Sequence, residues 1–175
     1  DQLGARPAAL DLLNLCKAIL QRADRLAWLS VLRAPWCGLS LGDLHALVVD
    51  APKATLPHLL ADEVRIAALS AAGQSAVARV WPLLLRAMAR RGRLPLRELL
   101  EGVWLALGGP ACYDAEGVAD AQLLLGLLES LEQGGELADL ELLEKGLNSL
   151  FAAADREADE ALQVMTIHKA KGLQF

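Results

Sequence analysis

With 175 residues, 54% of them hydrophobic and 22% charged, the chain is long enough to bury a sizeable core and lies far from the composition of a disordered polypeptide. Its 17 basic against 22 acidic side chains give a net charge of -5, which excludes a surface that coats nucleic acid through its overall field and makes any such contact local. Cys16, Cys37 and Cys112 lack metal-ligand spacing and fit buried thiols in a reducing cytoplasm, and no apolar run reaches the roughly eighteen residues of a membrane span.

Leu and Ala, the strongest apolar helix formers, dominate, while aromatics make up only 4%, so the chain is expected to be all-α. Pro7 suits a first helical turn, and Leu10, Leu13, Leu15, Ile19 and Leu20 follow at helical spacing as far as Asp24. Asp24 caps a second helix that runs through Arg33, with an apolar side of Leu26, Leu29, Val31 and Leu32. It ends at Ala34-Pro35, because a residue before proline avoids the α region. The stretch APWCGLS is then a turn, and Ser40 with Asp43 three residues on resembles a capping box for a helix carrying Leu41, Leu44, Leu47 and Val48. Thr55-Leu-Pro predicts a short helix, Asp62 opens another to about Leu69, and Gly73 separates these from the next element.

Val77, Val80, Trp81, Leu84, Leu85 and Met88 describe one buried helical face that Pro82 starts or kinks, and RRGR ends it. Leu96 to Leu107 forms a further amphipathic helix stopped by Gly108-Gly109-Pro110, and GGPACYDAEG reads as a loop. A helix from Ala119 to Gln133 reaches Gly134-Gly135 and pairs as a hairpin with the one beyond, where Leu140, Leu143, Leu147 and Leu150 repeat. Only after the acidic DREADEA, a solvated connector, does Gln163 to Ile167 give a strand-like run, the single strand expected.

That strand is followed by HKAKG. Polar side chains at the carboxyl end of a strand, with lysines as point charges and a glycine that allows close backbone approach, suit a phosphate, although a solvated turn explains the same residues. The full string VMTIHKAKGLQF, Val164 to Phe175, closely resembles motif V of superfamily 1 DNA helicases of the UvrD/Rep and RecB/AddA type, through Thr166, Ile167, His168, Lys171, Gly172, Leu173 and Phe175. Asp24 to Leu47 resembles the segment near the start of the inserted 2B subdomain of the same enzymes, and WLALGGPAC, Trp104 to Cys112, a marker of a bacterial branch.

The resemblance implies an all-helical 2B-like subdomain over residues 1–158, inserted within the second RecA-like (2A) domain of an ATP-dependent helicase. Residues 159–175 are then the return strand and motif V of that incomplete domain. It implies single-stranded and duplex DNA as partners, with the remainder of the helicase chain, a possible second helicase-nuclease subunit and no membrane, in a bacterial, nucleoid-associated setting of repair or recombination. Thr166, His168 and Lys169 would follow single-stranded DNA, while Lys171, Gly172 and Gln174 would border the nucleotide cleft. The family commonly has Glu where Gln174 stands, so the ribose contact there loses its charge-assisted form. ATP and Mg2+ serve the parent enzyme. No GxxxxGK[ST] loop or Mg2+-binding acidic pair is present, so the fragment has no catalytic residue and should be inactive alone.

Gly38 and Ser40 align loosely with a turn that meets duplex phosphates through backbone amides, though Trp36 and Cys37 as core and Ser40 as a plain cap explain the same stretch. Arg86, Arg90, Arg91 and Arg93 are candidates for the DNA backbone, or cations at a helix C-terminus that need no ligand. His45 and His58 stand alone and read as ordinary histidines, with no metal site; Trp28, Trp81 and Trp104 read as core. The competing class is a helical docking module that holds a partner subunit. A contiguous exposed Leu-rich patch would favour docking, and a basic groove joining Ser40 to the arginine run would favour duplex binding.

Overall fold

The computed structural model describes residues 6–159, with side chains through 151. The described residues are all-α apart from one small ribbon, as composition predicts. The helices are α1 (Pro7–Leu20), α2 (Arg25–Arg33), α3 (Leu41–Val48), α4 (Leu56–Leu60), α5 (Glu63–Ala67), α6 (Ala71–Arg90), α7 (Leu96–Ala106), α8 (Ala115–Leu131) and α9 (Leu140–Asp159). The strand expected at residues 163–167 and the rest of the closing string lie outside the described residues.

Helix α1 is the axis of the body. Ala8, Ala9, Leu12, Leu13, Leu15, Cys16, Ala18 and Ile19 are all at most 1% exposed, so it is wrapped on several sides, chiefly by α2 and α8. Trp28, Trp36, Trp104 and Phe151 are the largest fully buried side chains. Each aromatic of this kind removes enough apolar surface from water to contribute about 4–6 kcal/mol before ordering entropy is subtracted. The Trp36 indole N–H donates to the Val31 carbonyl at 3.1 Å, which offsets the cost of burying its polar edge.

Local signals explain most of the boundaries. Asp24, Ser40, Asp62, Ser70 and Asp114 each accept a backbone N–H from the first turn of the helix they precede. Thr55 holds the cap position of α4 without a side-chain bond. Pro82 sits inside α6 rather than at its start, with Ala78 and Pro82 both on the exposed side, where water can take the carbonyl that proline leaves unbonded.

Four expectations are corrected. Gly73 is the third residue of α6 and not a separator, because Ser70 caps that helix and Gly73 lies where another side chain passes close by. Helix α8 begins at Ala115, since Asp114 within the expected loop caps it by accepting from the Gly117 N–H at 2.8 Å. Gly134 and Gly135, both at positive φ, make a two-residue turn that pairs Glu132–Gln133 with Glu136–Leu137, an antiparallel ribbon (β1 and β2) where no strand was expected. Leu85, placed on a buried helical face by periodicity, is 51% exposed, and Leu26, on the apolar side of α2, is 75% exposed.

Helix α9 returns along α1. Lys17 pairs with Glu144, and the Arg6 guanidinium lies 5.3 Å from the centroid of the Phe151 ring, so α9 runs antiparallel to α1 and returns to where α1 starts. The APWCGLS turn belongs to the same end. Trp36 packs edge-on against Tyr113 at 6.3 Å, and the Tyr113 hydroxyl donates to Asp11 of α1 at 2.7 Å.

Candidate nucleic-acid interface

Two capping serines and one carboxylate join α3 to α6. Ser40 Oγ accepts the Asp43 N–H at 3.0 Å and donates to Asp43 Oδ2 at 2.7 Å. Ser70 repeats the arrangement on α6, accepting from the Gly73 N–H at 3.0 Å and donating to Asp43 Oδ2 at 2.9 Å, while the Ser70 N–H donates to Asp43 Oδ1 at 2.7 Å. Asp43 is buried, and this set of donors, the Ser70 N–H foremost, holds its carboxyl below the usual range, so it stays ionised. The packing is tight enough that a Cβ on Gly73 would meet Asp43 Cγ at 2.8 Å, which is why glycine stands inside a helix there.

Beside this clamp lies a cavity of about 470 Å³, lined by Cys37, Gly38, Ser40, the first turns of α6 and Arg79. Gly38 adopts φ +72°, and its N–H donates to the Ala34 carbonyl at 2.8 Å while the Leu39 N–H donates to Leu32 at 3.0 Å. The amides of Gly38 and Leu39 are therefore committed within the turn, and the Ser40 hydroxyl is committed to Asp43. What the turn can still offer an anion is the pair of first-turn amides of α3, at Leu41 and Gly42, which have no intrahelical acceptor. Ionised Asp43 and the Arg79 guanidinium both line the cavity, so its field repels an anion on the Asp43 side and attracts one on the Arg79 side. Burial pushes the Cys37 thiol up to about 11, so it remains a neutral thiol. Trp36 and Cys37 are core, at 2% and 5% exposed.

Arg6 and Arg97 are ion-paired with carboxylates, Arg22 and the candidate Arg93 are exposed away from the Ser40 turn's cavity, and two further sets of arginines stand out. Arg25 donates to the carbonyls of Val48, Ala51 and Ala54, Arg33 to Leu39, Arg65 to Leu47, and Arg91 to Leu20 at 2.7 Å. These four tie chain ends and turns together, and Arg91, a candidate for DNA, is occupied closing the C-terminus of α1. Arg79, Arg86 and Arg90 are exposed and bond to no other described residue. Their spacing of seven and four residues puts them within about 40° of one another on α6, along about 16 Å of its length. The stripe begins in the cavity beside Ser40 and continues into a second, smaller groove between α6 and α7 that holds Arg86, Arg90 and Glu98.

Arg79 was not among the residues singled out from the sequence, where it stands apart from the basic run; its register with Arg86 and Arg90 is the signal that finds it. Gly38, Ser40 and Arg90 are brought to one side of the molecule, whereas Arg91 is turned to α1. Thr166, His168, Lys169, Lys171, Gly172 and Gln174 lie outside the described residues. Among the described residues no group of three His, Cys, Asp or Glu could hold a metal ion, and no helix is long and apolar enough to cross a membrane. Compared with protein-family models, curated proteins and solved structures, the chain matches none.

Proposed function

We propose that this chain is the accessory helical subdomain of an ATP-dependent DNA helicase of the superfamily 1 UvrD/Rep type, with residues 164–175 returning to the motor domain. On this reading the subdomain grips the duplex ahead of a motor that translocates on one strand. The observation that carries the DNA contact is the stripe of Arg79, Arg86 and Arg90, which starts beside the Gly38–Ser40 turn and runs down one face of α6. Three guanidinium groups in a row suit successive phosphates of a backbone. Local placement of this kind also fits a chain whose net charge is -5.

The insertion itself is supported by the antiparallel return of α9 along α1, which brings Phe151 back to Arg6, since a body inserted into a host fold must turn back toward the point where it begins. ATP and Mg2+ act in the motor domain, where Lys171, Gly172 and Gln174 would border the nucleotide and Thr166, His168 and Lys169 the single strand.

A salt-series titration of forked, duplex and single-stranded DNA tests the contact. Each of Arg79→Gln, Arg86→Gln and Arg90→Gln should reduce the slope of log affinity against log salt on duplex or forked DNA by about one, whereas Arg91→Gln should leave it unchanged. Equal slopes for the triple variant and the native chain would overturn the DNA reading.

A further inference from the structure

The groove between α6 and α7 is smaller than the cavity beside Ser40 and mostly apolar in its lining. It encloses about 160 Å³ among Leu83, Ala87, Leu94, Leu99, Val103 and Ala106. Gly102, exposed on α7, also borders it, and a Cβ at that position would meet nothing within 4 Å, so the space beside it is open. Size limits what can enter. An apolar space of about 150 Å³ takes one ring the size of benzene, which is far too little for a helix or a duplex.

Charge limits it further. Arg86 and Arg90 border the groove from α6, about 6 Å apart along the helix axis, while Glu98 borders it from α7. A lone aromatic ring would leave both guanidinium groups without an anion. A ring carried on a phosphate backbone satisfies the whole lining: the phosphates meet Arg86 and Arg90 and stay clear of Glu98, and the ring takes the apolar space. Arginine also stacks on the face of a base, so the same two side chains can hold both parts of a nucleotide. Within a continuous duplex each base face is covered by its stacked neighbours, and only an unpaired base has a face free to enter.

We propose that the α6–α7 groove receives one unpaired nucleobase where a duplex parts, with the adjoining phosphates on Arg86 and Arg90. This rests on the reading of the arginine stripe as a DNA contact and adds the form of DNA that is gripped, a fork or strand end in place of continuous duplex.

The test uses the 175-residue chain and two short duplexes of equal charge, one ending in a single unpaired cytosine and one in an abasic residue, followed by fluorescence anisotropy over a salt series. The cytosine end should bind about tenfold tighter than the abasic end. Gly102→Leu and Ala106→Leu each fill the groove without altering charge, and each should shrink that difference to about twofold or less while leaving the slope of log affinity against log salt unchanged. Both positions are exposed, so the two variants should keep the native circular dichroism, which separates a blocked groove from lost folding. Replacing Arg86 and Arg90 together by Gln should lower the slope by about two on either duplex. Equal binding of the cytosine and abasic ends, with the slope still dependent on the arginines, would overturn the groove proposal and leave the stripe standing; a slope indifferent to the arginines would overturn both. Binding of an uncharged tryptophan peptide as tight as that of the cytosine end, and lost in Gly102→Leu, would also overturn it in favour of a protein partner.

Discussion

Asp43 and Asp120 are buried to the same extent, each 6% exposed, yet their surroundings treat them in opposite ways. Asp43 stands where two helices begin and receives three short hydrogen bonds from Ser40 and Ser70, so its carboxyl is held below the usual range. Asp120, on α8, meets Arg6 only at 3.4 and 3.5 Å, while that guanidinium makes a 2.7 Å bond to Glu116, and burial pushes its carboxyl up. The contrast teaches that depth alone does not decide whether a carboxylate organises a region or merely tolerates it. The number of donors aimed at it does.

The largest expected effect follows from removing the clamp. Asp43→Ala leaves the Ser70 N–H and two hydroxyls without their acceptor and should cost about 2–4 kcal/mol, whereas Asp120→Asn should change stability by less than about 0.5 kcal/mol. Urea denaturation of both variants measures the difference, and equal losses would break the contrast. Gly73→Ala tests the same clamp by crowding and should cost about 1–3 kcal/mol, because the new methyl meets Asp43. Gly102→Ala is its control: a Cβ on Gly102, also within a helix, meets nothing within 4 Å, and the substitution should stabilise by up to about 1 kcal/mol. Arg91→Gln should cost about 1 kcal/mol through the lost bond to Leu20, with thermal unfolding as the readout.

The smallest effect lies in the pH dependence, and its two halves have opposite sign. Asp43 is more acidic in the folded chain than in the unfolded one, so its contribution is complete above about pH 4 and is lost as the pH falls through its native value. Asp120 holds its proton more tightly when folded, so its contribution is present at low pH and fades as the pH rises through its native value. Asp43→Asn should flatten the acid limb of stability, and Asp120→Asn should remove a decline on the side above about pH 4. Denaturation midpoints measured at a series of pH values separate the two.

Much of the helical plan is legible in the sequence because caps act locally: Asp24, Ser40 and Asp62 each need only the next three residues to do their work. Gly73 is not legible in that way. Its neighbour across the gap is Asp43, thirty residues earlier, and a glycine required for close approach looks like a breaker until the fold brings the two together. Periodicity misassigns Leu85 for a related reason. It reports which residues share a helix face but not whether anything covers that face. The Ser40 cap is visible from local spacing, while its link to Ser70 and the alignment with Arg79 depend on how α3 and α6 meet.

The antiparallel return of α9 along α1 has a mechanical consequence. Arg6 at the head of α1 and Phe151 in α9 touch through their side chains, so the two helices bracket the body from the same end, while the tight turn at Gly134-Gly135 is tied to α7 by the Leu96 N–H on the Gly135 carbonyl. A helix held at both ends against the axis of the body in this way locks the first and last described helices into one unit, so that loosening either one loosens the other.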